Sequence, residues 1–306
     1  MDARSVFFTV FLVNWHNGDP IQLARLQHPM NQDQPLADQV AIVTGGGWNI
    51  GRAIALRLSR IGAHVVIASR SEDRLKMVVD EITASGGSAL AVPCDVMCLE
   101  QVEHLIEATV AHFGTVDIMA SCAGGSGAHE SIEDVDPQVW YDVVAKNLHG
   151  TFHCARCVLP IFRAKNSGHI LTFTGGGAFF PWVGYFATAY ASAKAGICRF
   201  TDQLQAELLD TNIRVNCVEP GMVWSPDKIK AVEAQEQESG QPHPDRASNH
   251  PPESAAELVE SLTTGPGTAI RGRIVSVNDS WWRDPDEIRA VEDSLTMYRL
   301  RRYDGT

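Results

Sequence analysis

The sequence has little positive charge for its length. Its 25 lysine and arginine residues are outnumbered by 37 aspartate and glutamate residues, so the 306-residue chain has a formal net charge of −12. Nucleic acids and anionic lipid surfaces are bound mainly through lysine and arginine. We therefore expect neither a nucleic acid nor a membrane surface as a partner of this protein.

Long hydrophobic runs are lacking as well. A membrane-spanning helix needs about 20 apolar residues, and the apolar stretch at 6–13 is much shorter. That stretch also lacks the small-residue cleavage site of a signal peptide. We expect residues 1–35 to form an N-terminal extension outside the core. N-terminal sequencing of the native protein would decide whether residues 1–29 belong to it.

The cysteines do not form a recognisable metal motif. There are seven, an odd number, and the Cys154-x-x-Cys157 spacing is followed by no second pair at ligand spacing. The alternative of redox or zinc chemistry at this pair stays open, but buried cysteines behave by default as small apolar residues. The sequence thus predicts a reduced, cytoplasmic protein without a metal site.

What the sequence does contain is a regular alternation of apolar strands and helical segments. Strands are predicted at 40–43, 64–68, 89–93, 116–120, 170–173, 214–218 and 273–277, and helices at 50–61, 72–84, 100–113 and 189–209. Such alternation forms βαβ units around a parallel sheet, and continuous apolarity indicates strands covered on both faces. We predict an α/β fold, a doubly wound parallel sheet (Rossmann fold), as a single domain over 36–283. Residues 226–255 are expected to be a mobile substrate loop or lid, and 284–306 a C-terminal tail.

A glycine-rich turn follows the first predicted strand. The stretch Thr44-Gly45-Gly46-Gly47-Trp48-Asn49-Ile50-Gly51 lies between that strand and a predicted helix. Glycines permit the positive φ and the close backbone approach that bring a pyrophosphate to a helix N-terminus. We interpret the turn as a dinucleotide-binding loop, the alternative being a glycine turn without a ligand.

This turn resembles the Thr-Gly-x-x-x-Gly-x-Gly signature of the short-chain dehydrogenase/reductase family, with Asn49 in place of the middle glycine. Asparagine is the non-glycine residue that best tolerates a left-handed backbone, so the turn is expected to form. The resemblance implies cofactor contacts from Gly45, Gly47, Asn49, Ile50 and Gly51.

Two later segments are similar to motifs of the same family. Asp95-Val96 follows the third predicted strand, where the resemblance implies contacts to adenine. Ala123-Gly124 falls in the family's Asn-Asn-Ala-Gly motif, whose asparagines are replaced here by serine and cysteine. The resemblance implies that this motif braces the sheet and borders the cofactor, so we expect altered support there without loss of chemistry.

The end of the second strand usually distinguishes NAD from NADP. NAD enzymes place a carboxylate there for the ribose 2′-hydroxyl, whereas this chain has Ser69-Arg70, with Arg52 after the turn. Serine and arginine can bind a 2′-phosphate, and a charge-assisted hydrogen bond of ~1.5–3 kcal/mol gives a roughly ten- to hundredfold preference. We predict NADP(H), with NAD(H) and a solvated Arg70 as the alternative. Trp48 stands where some NADP-using relatives carry a second basic residue.

Tyr190 and Lys194 are the predicted proton-transfer pair. They lie four residues apart in the long helix at 189–209 and therefore share one of its faces. An ammonium ~5 Å from a phenol favours phenolate by about 3 kcal/mol at an effective dielectric of ~20, which would lower the tyrosine pKa from ~10 toward about 8. The pair resembles the family's Tyr-x-x-x-Lys motif. The resemblance implies that Tyr190 donates the proton, that Lys194 also binds nicotinamide ribose, and that Asn147 holds a relay water.

The serine that the family places at the end of the fifth strand has no direct counterpart. The chain reads Thr172-Phe173-Thr174-Gly175-Gly176-Gly177, and counting from Gly168 puts the usual serine position at Gly175. Some family members carry a hydroxyl residue directly before a triple glycine, so Thr174 is predicted to hold the substrate oxygen.

The segment Pro220-Gly221-Met222-Val223-Trp224-Ser225 resembles the family's Pro-Gly-x-Val-x-Thr motif. The resemblance implies contacts to the nicotinamide carboxamide from Pro220, Gly221, Val223 and the Ser225 hydroxyl. The matches together extend over about 36–277.

The sequence therefore predicts an NADP(H)-dependent oxidoreductase that interconverts a carbonyl compound and a secondary alcohol. Reduction of an activated C=C bond and a non-catalytic nucleotide sensor or scaffold are the alternatives. Aromatic residues between Thr174 and Tyr190 favour an apolar or ring-bearing substrate, although core packing or a subunit contact would explain them too. Assembly as a homodimer or homotetramer is expected from the resemblance.

Overall fold

The computed structural model describes residues 34–127, 129–183 and 185–300. The predicted extension at 1–35 therefore lies almost wholly outside the described residues. The strands are β1 Val40–Thr44, β2 His64–Ser69, β3 Ala89–Pro93, β4 Ile118–Ser121, β5 Gly168–Phe173, β6 Ile213–Glu219 and β7 Ile274–Ser276. The α-helices are α1 Asn49–Arg60, α2 Glu72–Ala84, α3 Leu99–Phe113, α4 Pro137–Val144, α5 Gly150–Lys165, α6 Thr188–Glu207, α7 Pro226–Ser239, α8 Pro252–Thr263 and α9 Pro285–Glu292. A π-helical turn, Ala145–His149, joins α4 to α5.

The strands form one seven-stranded sheet in the order β3-β2-β1-β4-β5-β6-β7. Every pair in it is parallel. The chain crosses from one side of β1 to the other between β3 and β4, and ligands of doubly wound sheets bind in the crevice that this reversal opens at the carboxyl ends of the strands. The predicted fold class is confirmed.

Both faces of the sheet are covered, as the continuous apolarity of the strands predicts. In β1, Ala41 and Val43 pack into one core cluster, whereas Val40 and Ile42 pack into the cluster on the opposite face. Successive side chains of a strand point to opposite faces, so a strand covered on both sides is apolar at every position. Each fully buried aliphatic side chain of this kind contributes about 1.5–3 kcal/mol, and the strand ends are thereby held in fixed register.

The fourth strand begins at Ile118 instead of the predicted position 116. The Asp117 carboxylate accepts a hydrogen bond from the Val40 backbone N–H at 2.9 Å, and the ladder with β1 starts only with the pair Ala41 and Ile118. The Asp117 side chain and its backbone N–H, which donates to the Val40 carbonyl at 2.8 Å, thus bond β1 just before the ladder begins, a contact that hydropathy does not reveal.

The segment predicted as a mobile loop over 226–255 contains helix α7. The helix exposes nearly all of its side chains, with Val232 as its buried residue, so it has no apolar stripe to predict it. Its ends do carry signals: the Ser225 hydroxyl accepts from the Lys228 N–H, Pro226 occupies the first turn, and Gly240 ends the helix at φ 66°. These are ordinary start and stop residues of helices.

The residues after 283, expected to form a tail, include α9, whose Ile288 and Val291 are buried in the core. Arg273, only 1% exposed, fixes this segment by pairing with Glu292 and donating to the Val291 carbonyl. Among the described residues, no helix is both long and apolar enough to cross a membrane.

Candidate active site

A cavity of about 560 Å³ lies at the carboxyl ends of the strands, bordered by the glycine-rich turn, the ends of β2 and β5 and the start of α6. The register places Thr44 of β1 beside Ala68 of β2 and Ser121 of β4, so the residues that follow these strands meet at one edge. The predicted residues that line the cavity are Gly45, Gly47, Asn49, Ile50, Gly51, Ser69, Arg70, Asp95, Val96, Ala123, Gly124, Thr174, Tyr190, Lys194 and Pro220.

The glycine-rich turn has the tight backbone that the sequence predicted. Gly45 has φ 69° and Asn49 has φ 45°, so asparagine does occupy the left-handed region at the family's glycine position. A Cβ on Gly51 would lie closer than 3.0 Å to the Gly45 carbonyl oxygen. Only glycine lets the helix begin this near the turn, which is the approach that a pyrophosphate at the helix N-terminus requires.

A threonine holds this turn against the next loop. The Thr44 hydroxyl donates to the Ala120 carbonyl at 3.5 Å and accepts from the Ala123 N–H at 3.2 Å. Gly45 packs on the Ala123 backbone, 3.1 Å from where its own Cβ would be. Thr44 therefore braces the end of the fourth strand and the loop after it, where this chain has Ser121 and Cys122.

Two polar atoms beside the turn are buried without a partner among the described residues: the Ser69 hydroxyl and the Asn49 side-chain oxygen. A buried polar group without a hydrogen bond costs free energy, so such groups mark positions that a ligand satisfies. Together with the glycine cradle at Gly45 and Gly51, they fit a dinucleotide. Arg52, by contrast, pairs with Glu81 of α2.

Asp95 and Val96 border the cavity with different groups. The Asp95 carboxylate accepts from the Met97 N–H at 3.0 Å, and its own N–H donates to Gln101. Val96 is 7% exposed, and its carbonyl oxygen lies 2.8 Å from His153 Nδ1. The turn after β3 is thus held in one conformation, with its role toward adenine still a prediction.

Tyr190 and Lys194 face the cavity from the first turns of α6. The Lys194 side chain is 5% exposed, its Nζ donates to the Phe173 carbonyl at 2.8 Å, and it lies 5.5 Å from the centre of the Tyr190 ring. Burial lowers the pKa of Lys194, with the thiols of Cys122, Cys217 and Cys198 acting in the opposite sense.

The prediction that Lys194 makes Tyr190 acidic is wrong for the protein chain by itself. Burial raises the pKa of Tyr190 to about 12, and the neighbouring Cys122 adds to the rise. The ammonium is bonded to the Phe173 carbonyl and lies by the ring, so its attraction for a phenolate does not offset the loss of hydration. At neutral pH the phenol is therefore protonated.

The position beside the Tyr190 hydroxyl is Gly175, not Thr174. A Cβ on Gly175 would come closer than 3.0 Å to the tyrosine Oη. The Thr174 hydroxyl instead donates to the Lys194 carbonyl at 3.2 Å and accepts from the Cys198 thiol at 3.2 Å, with the residue 2% exposed. Thr174 therefore supports helix α6, while its role in holding the substrate oxygen stays a prediction.

Asn147 is fully buried beside the cavity and does not line it. Its amide donates to the carbonyls of Gly125 and Val143 at 2.9 and 2.8 Å, and its oxygen accepts from the Gly125 N–H at 3.3 Å. The side chain thus ties the π-helical turn to the loop after β4. These bonds use both hydrogens of the Asn147 amide, so the side chain offers no free N–H to a relay water. The role of Asn147 in holding such a water stays a prediction.

The loop after β6 contributes Pro220 to the cavity, whereas Gly221, Val223 and Ser225 lie outside its lining. Gly221 has φ 69° and packs on the His250 ring. The Ser225 hydroxyl caps helix α7 by accepting from the Lys228 N–H at 3.2 Å. Contacts of these residues to a carboxamide stay predictions.

Aromatic side chains form one wall near Tyr190. The Trp182 ring lies 6.4 Å from the Tyr190 ring at 23° and packs directly on Gly176, where any Cβ would overlap it. Trp182 is itself 41% exposed, and the other aromatic residues of this segment are exposed too: Phe179, Phe180, Tyr185 and Phe186. The triple glycine therefore makes room for a tryptophan on one side and the tyrosine hydroxyl on the other.

Several lining residues were not predicted from the sequence. They are Ala68, Ser71, Arg74, Cys94, Met97, Cys122, Gly125, Lys146, Phe173 and Trp48. The sequence had indicated for Trp48 only that it stands where some NADP-using relatives carry a basic residue. These residue types are common on helices and in loops, so the sequence alone does not mark them as site residues. They are recognised only because the folded chain places them around the cavity. The signal that could have found Arg74 is a second basic residue four positions after Arg70.

The chain matches the short chain dehydrogenase family over residues 39–236. Among curated relatives, an uncharacterised oxidoreductase of Staphylococcus epidermidis is 33% identical over 189 residues, covering 62% of this chain and 80% of the relative. An uncharacterised oxidoreductase of Staphylococcus aureus is 33% identical over 208 residues, covering 66% of this chain and 88% of the relative.

Solved structures show the same fold. A variant of actinorhodin polyketide ketoreductase with NADPH superposes with a TM-score of 0.70 at 29% identity, covering 81% of this chain and 97% of that one. L-Sorbose reductase from Gluconobacter frateurii, complexed with NADPH and L-sorbose, superposes with a TM-score of 0.72 at 28% identity, covering 80% of this chain and 96% of that one.

Proposed function

The chain belongs to the short chain dehydrogenase family, and from that premise we propose that it is an NADP(H)-dependent oxidoreductase interconverting a carbonyl compound and a secondary alcohol. The observation that carries the proposal is a single cavity that contains the glycine-rich turn, Ser69 and Arg70 at one end and Tyr190 and Lys194 at the other. The two solved relatives named above were crystallised with NADPH, which supports the choice of cofactor.

Different residues of this chain would bind different parts of the cofactor. The turn with Gly45 and Gly51 would receive the pyrophosphate, and Ser69 with Arg70 the 2′-phosphate, where an unpartnered hydroxyl and an arginine suit a phosphate group. Lys194 would bind the nicotinamide ribose. NADPH, when bound, supplies the hydride.

Tyr190 supplies the proton. Its pKa of about 12 keeps the phenol protonated at neutral pH, so its Oη can donate to the carbonyl oxygen as that oxygen gains negative charge. The buried ammonium of Lys194 stabilises this charge and the phenolate left behind, because electrostatic attraction is strong where water is excluded. The protonated phenol is therefore in the state that the proton donor of a reduction requires.

The substrate oxygen would be held with fewer side-chain donors than the family pattern implies. Gly175 offers no hydroxyl beside Tyr190 Oη, and the Thr174 hydroxyl is bonded to the α6 backbone. The Trp182 ring lies nearly parallel to the tyrosine ring, with the two ring centres 6.4 Å apart. This combination suits an apolar carbonyl compound that is positioned by its flat surface and by a single hydrogen bond.

The test is NADPH oxidation by the full-length protein against a panel of aldehydes, ketones and activated alkenes. Tyr190→Phe removes the proton donor and is expected to lower kcat/KM by roughly 10²- to 10⁴-fold. Tyr141→Phe is the matched control, because that tyrosine is exposed on α4. Equal turnover by wild type and Tyr190→Phe would contradict the mechanism.

Reduction of an activated C=C bond is the second candidate, and Gly175 favours it because that reaction needs no serine hydroxyl at the substrate oxygen. Turnover of α,β-unsaturated carbonyl compounds without turnover of simple ketones would support it. Tight NADPH binding with no turnover of either class would indicate a nucleotide sensor. Assembly as a homodimer or homotetramer stays a prediction, which light scattering during size-exclusion chromatography would check.

A further inference from the structure

A cation and an aromatic ring are stacked where the glycine-rich turn and the start of α2 border the cavity. The guanidinium carbon of Arg74, in the first turn of α2, lies 4.3 Å from the centre of the Trp48 ring. Trp48 is the residue directly before α1. A cation over the face of an indole is attracted by the ring quadrupole, so the exposed arginine is held in place.

This pair borders the place where the second strand ends. Trp48 and Arg74 line the cavity together with Ser69 and Arg70. Gly47 lies between them, because a Cβ added there would be 3.1 Å from the Ser69 hydroxyl and 3.2 Å from the Arg74 Cβ. The Arg74 Cβ and the unpartnered Ser69 hydroxyl thus face the same glycine.

The positive charge at this place is not neutralised by the described part of the chain. None of the ion pairs there includes Arg70 or Arg74. The adjacent Glu72 and Asp73 are exposed at the start of α2 and pair with neither arginine. Arg52 is paired with Glu81 on the same helix, so it contributes no free charge.

We infer that Arg74, held by Trp48, is a specificity-determining residue that binds the 2′-phosphate of NADP(H) together with Ser69 and Arg70. The inference rests on the proposed cofactor. It assigns to Arg74 of α2 the part that a basic residue plays in some NADP-using relatives at the turn position occupied here by Trp48. Stacking engages the face of a guanidinium and leaves its N–H groups free at the edge, where they can bond a phosphate in a bidentate manner. The aromatic platform thus supplies a preorganised cation instead of a flexible one.

The experiment measures binding, so it does not depend on turnover. Isothermal titration calorimetry of the full-length protein would determine the affinities of NADPH, NADH, adenosine 2′,5′-bisphosphate and ADP. Arg74→Ala is expected to weaken NADPH and adenosine 2′,5′-bisphosphate by about ten- to hundredfold while leaving NADH and ADP unchanged. Trp48→Ala is expected to weaken the same two ligands less, and Trp48→Phe to preserve most of the affinity because a ring remains.

Arg60→Ala is the matched control, because Arg60 is an exposed arginine at the end of α1, away from the lining of the cavity. Thermal unfolding of each variant checks that the fold is retained, and Arg74→Lys keeps the charge while weakening the stacking and the bidentate geometry.

Two results with the Arg74→Ala variant would overturn the inference. An equal loss of NADPH and NADH in Arg74→Ala would mean that the stacked pair holds adenine, and an unchanged NADPH affinity would mean that Arg74 binds nothing. In both cases wild-type binding of NADPH leaves the proposed function standing. If wild type binds neither NADPH nor NADH, the proposed function itself fails. If wild type prefers NADH, the inference and the NADP(H) assignment fail together, whereas the oxidoreductase assignment stands.

Discussion

Replacing Gly175 with alanine is expected to slow catalysis without unfolding the protein. The added Cβ would lie closer than 3.0 Å to the Tyr190 hydroxyl oxygen, whereas favourable contacts between such atoms begin at about 3.5 Å. The hydroxyl must therefore move by about 1 Å. Misplacement of a reacting group by about 1 Å can reduce the rate by about 10²-fold, which corresponds to about 2.7 kcal/mol in the activation free energy.

The assay is kcat/KM for the best carbonyl substrate of the panel, with NADPH affinity and the thermal unfolding midpoint measured on the same preparations. Gly175→Ala should reduce kcat/KM while both other quantities stay close to wild type, because the crowding is directed at one hydroxyl. Gly196→Ala is the control, since the Cβ added there meets only the flexible end of the Leu148 side chain, at 3.2 Å.

Gly175→Ser extends the test to the serine that the family pattern implies. Because its Cβ would meet the same tyrosine oxygen, it is expected to be slower than wild type despite its additional donor. Wild-type turnover by Gly175→Ala, or a faster Gly175→Ser, would refute the idea that the site is built around a glycine at this position.

Three further outcomes are expected. Between pH 7 and 10 the phenolate absorbance of wild type and Tyr190→Phe should coincide, because burial raises the pKa of Tyr190 to about 12. An additional ionisation near neutral pH in wild type alone would show that another group lowers this pKa despite the burial. Arg273→Met should destabilise the fold by about 2–5 kcal/mol in chemical denaturation, since it removes a buried guanidinium and leaves the Val291 and Ser294 carbonyls without their donor. The exposed Arg289→Met should cost less than about 1 kcal/mol, and equal costs would contradict the role of burial. Gly51→Ala should abolish NADPH binding in calorimetry, because its Cβ would overlap the Gly45 carbonyl; retained affinity would show that the turn can open.

The stability that Tyr190 contributes depends on pH in a defined direction. A tyrosine whose pKa is higher in the folded than in the unfolded state holds its proton more firmly when folded. Its contribution is therefore complete below the unfolded pKa of ~10 and is lost as the pH rises toward the folded pKa of about 12. The pH window of loss is alkaline, and acid does not affect it.

The strand and helix order of this protein could be predicted from its sequence because it depends on local patterns. Continuous apolar stretches bounded by helical segments correspond to strands buried on both faces, as the opposite orientations of Val43 and Ile42 illustrate. Helix α7 was missed because it buries almost nothing, leaving Ser225, Pro226 and Gly240 at its ends as its signals. Hydropathy therefore finds an element only if that element contributes to the core.

The sequence by itself determined the glycine-rich turn and the spacing of Tyr190 and Lys194, since both are set by the backbone geometry of a few consecutive residues. Only the tertiary structure decided that Gly175 instead of Thr174 faces the tyrosine hydroxyl, and that Arg74 stacks on Trp48. Those relations join segments far apart in the chain, and the tyrosine pKa depends on how completely they exclude water. Distance and burial across a folded cavity are properties of packing, which no local pattern of residues encodes.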